Sequence, residues 1–203
     1  MHKLKQVFKA LKWQRQVRAA LSTQLALLEN PSVFALGGLA DDEERRLVEL
    51  VHAAAQHQGP IVEFGTLFGL TTRLMAGTKR EGQKLITVDN FCWNPFGLPP
   101  SLHEKFTRRI LRTELESGTV ELFEGTSEFF RSHYTGDRPA LVFLDADHSY
   151  GAVRDEIAWA RKLCVPLICG HDYGNDRFGV TRAVDEAFPD GVEVRGMVWS
   201  KKV

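Results

Sequence analysis

The chain has 203 residues with 26 basic and 26 acidic side chains, so its formal net charge is zero. This length is enough for one α/β domain with a sizeable core. The balanced charge creates no field that would attract nucleic acid, and no apolar run is long enough to span a bilayer. The N-terminus lacks a signal-peptide core, and three cysteines without metal-type spacing predict reduced thiols. We therefore expect a cytoplasmic protein that binds neither nucleic acid nor membrane.

Residues 1–29 predict an amphipathic helix in which basic side chains lie among apolar ones. Such a helix can bind a membrane or a nucleic acid. Packing on the domain or on a second subunit is the simpler interpretation, which makes the helix a candidate homodimer element. Asn30-Pro31 ends it, and the loop that follows is placed to cover a ligand crevice. We therefore divide the chain into an N-terminal helix and loop, 1–36, and a main domain, 37–203.

From Asp41 onward, helical patterns alternate with short apolar runs. Asp41 and Glu44 predict a capping box for a helix that runs to about Gln58. The apolar runs predict strands at 61–64, 85–88, 119–123, 141–144 and 163–169, with one more strand or a tight pair within 192–202. Strands that alternate with helices imply right-handed crossovers and a mostly parallel, three-layer α/β sheet.

The stretch from Ile61 to Ala76 predicts a buried strand, a glycine turn and a helix. Gly65 and Gly69 leave room for a ligand to approach the backbone. The start of the helix offers unpaired N–H groups and a positive dipole end, which suit a carboxylate or a phosphate. Glu63 lies at the carboxyl end of the strand, where open α/β sheets bind their ligands.

Polar side chains also follow the next two predicted strands. Asp89 ends the second strand, where the acid of such a sheet accepts hydrogen bonds from ribose hydroxyls. An aspartate that only caps a helix or a turn is an equal alternative for Asp89 alone. Ser127 follows the third strand and either caps the next helix or hydrogen-bonds an adenine edge.

The segment from Phe91 to Pro100 is aromatic and rich in proline, and it is too interrupted for a strand or a helix. Loops of this kind beside a ligand crevice form substrate walls or lids, but they also serve as core plugs, and both interpretations stay open. A single helix from 101 to about 116 should follow, with His103 facing solvent.

Two acidic clusters end the fourth and fifth strands, which are predicted neighbours. Asp145 follows the most apolar strand and Asp172 follows the next one. Carboxylates brought together in a crevice need a cation, a proton or an arginine between them, and hard oxygen ligands suit Mg²⁺ or Ca²⁺. His148 is placed to act there as a general base. Capping of the two following helices is the structural alternative, which two consecutive clusters make weaker.

Three motifs resemble the class I S-adenosylmethionine-dependent methyltransferases: V-E-F-G-T-L-F-G-L-T-T, L-V-F-L-D-A-D-H-S-Y, and G-H-D-Y followed by G-V-T-R-A-V-D-E-A-F. The pattern is most similar to the small O-methyltransferase branch that includes macrolide-sugar enzymes (macrocin and mycinamicin O-methyltransferases) and cephalosporin-biosynthesis relatives. The resemblance covers roughly residues 37–200. It implies a Rossmann-like class I methyltransferase fold, with the sheet antiparallel at one edge.

The resemblance also implies roles for the cofactor-binding residues. Glu63, Gly65 and Thr66 would line the methionine and ribose part of S-adenosylmethionine. Thr71, with Thr72 beside it, would hold the methionine carboxylate. Asp89 would bind the ribose, and the adenine end would meet Thr126 and Ser127. Gly69 and Asp145 complete the set that we expect at the cofactor.

For the reaction, the resemblance implies that Asp145 and Asp172 match the magnesium ligands of metal-dependent relatives. His171 stands where some relatives carry another acid, and it is the third candidate ligand. His148 matches the histidine proposed as general base in the family, and Asp147 is the second candidate for that role.

We therefore predict a methyltransferase that acts on the hydroxyl of a small molecule, with S-adenosylmethionine as cofactor and Mg²⁺ as a candidate second cofactor. Two other classes stay open: a non-catalytic S-adenosylmethionine-binding protein, and a nicotinamide-dependent oxidoreductase. The acidic clusters disfavour the first, and the absence of G-x-G-x-x-G disfavours the second.

Overall fold

The computed structural model of the chain describes residues 38–203. The predicted N-terminal helix and loop, 1–36, lie outside the described residues. The helices are α1 (Asp41–Ala54), α2 (Leu70–Thr78), α3 (Pro100–Ile110), α4 (Arg112–Glu116), α5 (Ser127–His133), α6 (Tyr150–Lys162) and α7 (Val180–Ala187). The strands are β1 (Ile61–Phe64), β2 (Leu85–Asp89), β3 (Val120–Glu124), β4 (Leu141–Leu144), β5 (Leu167–Gly170), β6 (Glu193–Arg195) and β7 (Val198–Lys202).

The strands of this part of the chain form one sheet in the order β3-β2-β1-β4-β5-β7-β6. β1 to β5 are parallel, whereas β7 runs antiparallel to both β5 and β6. The mostly parallel α/β sheet with an antiparallel edge is therefore confirmed, and residues 192–202 form the tight pair. The strand order reverses between β1 and β4, and sheets of this kind bind their ligands at such a switch point.

Helices cover both faces of the sheet because the central strands are apolar on both. Every residue of β1, β4 and β5 is buried, as in parallel strands that lie between two helical layers. On one face, Ile61 and Phe143 pack with residues of α1 and α2. On the other face, Phe64 and Leu144 pack with residues of α5, α6 and α7. None of the helices within residues 38–203 is long and apolar enough to cross a membrane.

The helix predicted for 101–116 and the fifth strand have boundaries that differ from the sequence prediction. The helix predicted for 101–116 is divided at Leu111, which is fully buried and lies outside helical geometry, with φ −88° and ψ 13°. Its side chain packs against Gly69, where an added Cβ would lie 2.7 Å from Leu111 Cγ. The fifth strand begins at Leu167 rather than at 163, because α6 ends at Lys162 and Cys164 adopts a positive φ of 54° in the connecting turn.

The capping glutamate and the end of α1 also differ from the prediction. The helix begins at Asp41, but Glu43 rather than Glu44 provides the cap, since Glu43 Oε2 accepts a hydrogen bond from the N–H of Ala40 at 2.9 Å. The helix ends at Ala54, earlier than the predicted end at Gln58. Glu43 is buried, and this places its carboxylate inside the protein rather than in solvent.

Gly65 is the residue on which the turn after β1 depends. Its φ is +97°, and an added Cβ would lie 2.1 Å from the carbonyl oxygen of Asp145. The backbone has no freedom to move away, because the Gly65 N–H donates to Val88 and the Asp145 N–H donates to Phe64. Glycine therefore lets β1, β2 and β4 meet at one point.

Replacing Gly65 with Ala should lower the free energy of unfolding by about 3 kcal/mol or more, because it combines a clash with backbone and a strained φ. Gly77→Ala is the matched control. Gly77 lies inside α2 with no atom near its added Cβ, so the change should stabilise the protein by about 0.5–1 kcal/mol. Urea unfolding measures the free energy of unfolding of both variants. Equal changes in the two variants would contradict the role assigned to Gly65.

Candidate active site

A cavity of about 1450 Å³ lies at the carboxyl ends of the parallel strands. It is larger than the roughly 300–1,000 Å³ of an ordinary ligand pocket, so it has room for two ligands side by side. Most of the residues predicted from the sequence line it: Gly65, Thr66, Thr71, Asp89, Thr126, Ser127, Asp145, Asp147, His148, His171 and Asp172. Three predicted residues do not: Glu63, Gly69 and Thr72.

Asp89 joins the end of β2 to the glycine turn. Its Oδ2 accepts hydrogen bonds from the N–H groups of Thr66 at 2.9 Å and Leu67 at 2.8 Å. Its Oδ1 accepts a third bond from the N–H of Phe91 at 2.7 Å. Because a carboxylate oxygen accepts more than one hydrogen bond, Asp89 holds both loops and still faces the cavity.

The carbonyl of Leu67 carries a second set of contacts. Leu67 has a positive φ of 47°, and its oxygen lies 2.9 Å from Nε2 of His103 and accepts a hydrogen bond of 2.5 Å from the Thr107 hydroxyl. His103 is fully buried, so its predicted exposure to solvent is wrong. Helix α3 therefore holds the strained turn in place.

Glu63 and Thr72 lie beneath the cavity floor rather than on its wall. Glu63 is fully buried, and its Oε2 accepts hydrogen bonds from Thr72 at 2.5 Å and from Thr87 at 2.6 Å. Burial raises the pKa of Glu63 to about 8, although both hydroxyl contacts act to lower it. Glu63 therefore connects β1, β2 and α2 as a mostly protonated group at neutral pH.

The N-terminus of α2 opens on the cavity. Gly69 is the N-cap residue, with φ 83°, and no side chain within residues 38–203 caps the helix. Leu70 and Thr71 of the first turn line the cavity. Free N–H groups and the positive helix end suit an anionic group such as a carboxylate.

Asp145, His148 and Asp172 come together at the ends of β4 and β5. One ligand atom from each lies within 4.8 Å of the others, and His148 Nε2 is 3.6 Å from Asp172 Oδ2. Burial raises the pKa of Asp145 to about 7 and lowers the pKa of His148. Burial acts to raise the pKa of Asp172 too, but hydrogen bonds from His171 and Asn175 outweigh it and lower that pKa.

His171 lies among three carboxylates. Its Nε2 is 3.2 Å from Glu43 Oε2, and its Nδ1 is 3.5 Å from Asp172 Oδ2 and 3.8 Å from Asp145 Oδ1. Burial acts to lower the pKa of His171, but these acids outweigh it and raise the pKa to about 9. Glu43 itself also accepts the N–H of Met197 at 2.7 Å.

Glu43 is the site residue that sequence reasoning missed. Its signal in the sequence was an acid at the third position of a helix, which predicts only a cap. Its reach from α1 to the end of β5 depends on the tertiary structure.

The loop from Phe91 to Pro100, predicted as either a cavity wall or a core plug, has residues in both places. Phe91 and Leu98 are buried, and Asn94 Nδ2 donates to the Leu98 carbonyl at 2.9 Å. Cys92 and Trp93 line the cavity, and Trp93 is 70% exposed. Phe178 also lines the cavity, and the centroid of its ring lies 4.6 Å from the ring centroid of His148. Phe178 therefore stands beside the Asp145–His148–Asp172 cluster, and Trp93 lines the same cavity.

Residues 62–173, more than half of the chain, match the model of a protein family described as a methyltransferase domain. With the fold and the cavity described above, this match shows that the chain belongs to the methyltransferase family and is a methyltransferase. No curated protein sequence matches the chain.

Solved structures share the fold at low sequence identity. An O-methyltransferase from Bacillus cereus, crystallised with S-adenosylhomocysteine (SAH), has 16% identity and a TM-score of 0.63 over 90% of this chain and 91% of that chain. The calicheamicin methyltransferase CalS11 has 14% identity and a TM-score of 0.66 over 93% and 90%. TomG from Streptomyces achromogenes, an O-methyltransferase of tomaymycin synthesis, has 15% identity and a TM-score of 0.59 over 91% and 86%.

The buried acid beneath the cavity predicts a pH effect on stability. The pKa of Glu63 is raised from 4.5 to about 8 in the folded protein, so the unfolded chain binds fewer protons between these values and stability falls as pH rises. Glu63→Gln removes this contribution. The variant should therefore gain on the order of 3 kcal/mol relative to wild type between pH 5 and pH 8 in urea unfolding. The exposed Glu81→Gln should show no such gain, and an equal pH response of all three proteins would contradict the assignment.

Proposed function

We propose that this protein transfers the methyl group of S-adenosylmethionine to a hydroxyl of a small molecule. The observation that carries the proposal is the single cavity that brings the glycine turn and Asp89 together with the Asp145–His148–Asp172 cluster. The neighbours support the cofactor, since the Bacillus cereus enzyme was crystallised with SAH and TomG with S-adenosylmethionine. Both are O-methyltransferases.

The residues present fit this cofactor. The uncapped start of α2 suits the methionine carboxylate, and Thr71 stands beside it. Asp89 faces the cavity at the end of β2, the position for ribose hydroxyls. Thr126 and Ser127 follow β3, one strand farther from the switch point, and suit the base. The order of these groups along the sheet edge matches an extended nucleoside with an amino-acid tail.

The chain has two tasks in the reaction. S-adenosylmethionine, when bound, supplies a methyl group on a sulfonium centre. The protein must align the acceptor oxygen with that methyl and remove the acceptor proton. The walls formed by Trp93 and Phe178 restrict the acceptor beside the cluster. His148 is suited to take the proton, because burial lowers its pKa and keeps the imidazole neutral.

Asp147 is the second candidate base. It lines the cavity, but its Oδ1 accepts the N–H of Ser149 at 2.9 Å, which holds the turn before α6. We therefore assign proton removal to His148 first.

A divalent cation fits the same cluster. Asp145 and Asp172 offer hard oxygen donors, and His148 completes a group whose ligand atoms all lie within 4.8 Å of one another. His171, the other candidate ligand, meets Glu43 through Nε2, and its Nδ1 faces Asp145 and Asp172. Mg²⁺, when bound, would hold the acceptor oxygen and lower its pKa. His148 can serve as a ligand or as the base, but not as both at once.

The first test is calorimetric titration of the protein with SAH, with and without Mg²⁺. We expect SAH binding that needs no metal, since Thr71, Asp89, Thr126 and Ser127 lie outside the cluster. A Mg²⁺ signal that disappears in Asp145→Ala would support the metal, and no Mg²⁺ signal would assign the chemistry to His148 alone. Folded protein that fails to bind SAH would contradict the proposal.

Replacing His148 with Ala tests the base. Turnover should fall by about 10²–10⁴-fold, because proton removal by a positioned side chain contributes that much. SAH affinity should stay near the wild-type value. The control is His52→Ala on the exposed side of α1, which should change neither. Equal losses of turnover and SAH affinity in His148→Ala would show a structural role instead.

A cytoplasmic location remains part of the proposal, and the three unpaired cysteine thiols support it. A homodimer through the N-terminal helix also remains a proposal.

A further inference from the structure

Helices α5 and α6 enclose two side chains with buried polar atoms that have no hydrogen-bond partner within residues 38–203. Glu156 on α6 is 1% exposed, and within residues 38–203 neither of its carboxylate oxygens has a hydrogen bond of full geometry. Nε of Arg131 on α5 is also buried and unpaired, although its Nη1 donates to the Asp155 carbonyl at 2.9 Å. Buried polar atoms without partners are costly and rare, so this pair requires an explanation.

Ser127 connects this buried pair with the cavity. Ser127 lies one helical turn before Arg131 on α5, and both residues line the cavity wall. Arg131 Nη1 donates to the carbonyl of Asp155, the residue before Glu156, so this part of α5 packs against α6 at Glu156. Burial raises the pKa of Glu156 to about 7, while Ser127 and the charge of Arg131 act to lower it. The other charged groups that face Glu156 are Asp147 and Asp155, which act to raise it.

Ser127 is not needed to cap α5. The N-cap residue is Thr126, whose hydroxyl accepts the N–H of Phe129 at 3.1 Å. The helix-cap interpretation of Ser127, which the sequence left open, therefore belongs to its neighbour. The Ser127 hydroxyl is left for other partners, at the position that suits the base of the cofactor.

We propose that Glu156 is a positioning residue. Its carboxyl accepts a hydrogen bond from the Ser127 hydroxyl, and this makes Ser127 an acceptor for the adenine amino group. This inference rests on the proposed function, because it assumes the cofactor.

This arrangement predicts that the site prefers adenine to hypoxanthine. A serine hydroxyl has one hydrogen and two lone pairs. When Glu156 accepts the hydrogen, only lone pairs face the cavity. The amino group of adenine then donates to Ser127, whereas hypoxanthine presents a carbonyl oxygen at the same place, and two acceptors oppose each other. A site built to bind an N–H group rejects the analogue that lacks it.

The experiment compares the binding of SAH and of its deaminated analogue, S-inosylhomocysteine, by calorimetry. The proteins are wild type, Glu156→Gln, Ser127→Ala and the double variant. The glutamine amide can donate to the Ser127 oxygen. The hydrogen of the Ser127 hydroxyl is then free to point toward the cavity. Wild type should prefer SAH about tenfold or more, and each single variant should reduce this preference by about 3–10-fold, the worth of one hydrogen bond. The double variant should lose no more than either single one.

Glu114→Gln is the matched control. Glu114 on α4 is a partly buried acid with one unpaired oxygen that does not line the cavity, so its replacement should leave the preference unchanged. Thermal unfolding of each variant checks that the fold is intact, and Ser127→Ala tests the same contact if Glu156→Gln does not fold.

The outcomes separate the two proposals. Wild type that binds neither ligand contradicts the proposed function. Wild type that binds SAH without preferring it, or folded variants that keep the wild-type preference, overturn the inference about Glu156. An equal loss of affinity for both ligands in Glu156→Gln, with the preference kept, gives Glu156 a purely structural role and also overturns it.

Discussion

The carboxylate of Asp89 is the constraint on which the cavity depends. It accepts three backbone N–H groups, from Thr66, Leu67 and Phe91, and so fixes the turn after β1 and the loop after β2 relative to each other. Leu67 and Phe91 both have positive φ, which a branched or aromatic residue adopts only when its surroundings require it. Asp89 thus anchors one strained residue in each of the two loops that form this part of the wall. A ligand that binds Asp89 meets a group that is already oriented.

The acidic side chains near this turn differ in their burial, and this difference gives them different roles. Glu63 is enclosed by two threonine hydroxyls and is mostly protonated at neutral pH, so it serves as a hydrogen-bonded link. Asp145 is half-buried and faces the cavity near His171, whose own pKa is raised by the acids around it. Glu156 lies at the far end, against α5. A bound sulfonium would bring a positive charge into this cavity. The acids there include Asp145, whose pKa of about 7 lies close to neutral pH.

The position of the cluster follows from the topology. β4 and β5 are neighbours and parallel, so the residues after them meet at one edge of the sheet. The adjacent switch between β1 and β4 leaves a crevice into which both ends open. Methyl transfer needs little from a protein beyond alignment and a proton acceptor, and this edge places a cavity beside a histidine and two carboxylates. Aromatic side chains from two different loops, Trp93 and Phe178, line the same cavity.

The sequence by itself determined the sheet and the strand-end residues, because both depend on local patterns. Apolar runs of four residues, the glycines of the first turn, and the acids Asp89, Asp145 and Asp172 can all be recognised along the chain. Only the tertiary structure decided which polar groups face the cavity. It places Glu63 below the floor, buries His103 against the Leu67 carbonyl, and brings Glu43 from α1 to His171, across 128 positions of sequence. These contacts join elements far apart in the chain, and a local pattern carries no information about which side chain a folded neighbour will meet.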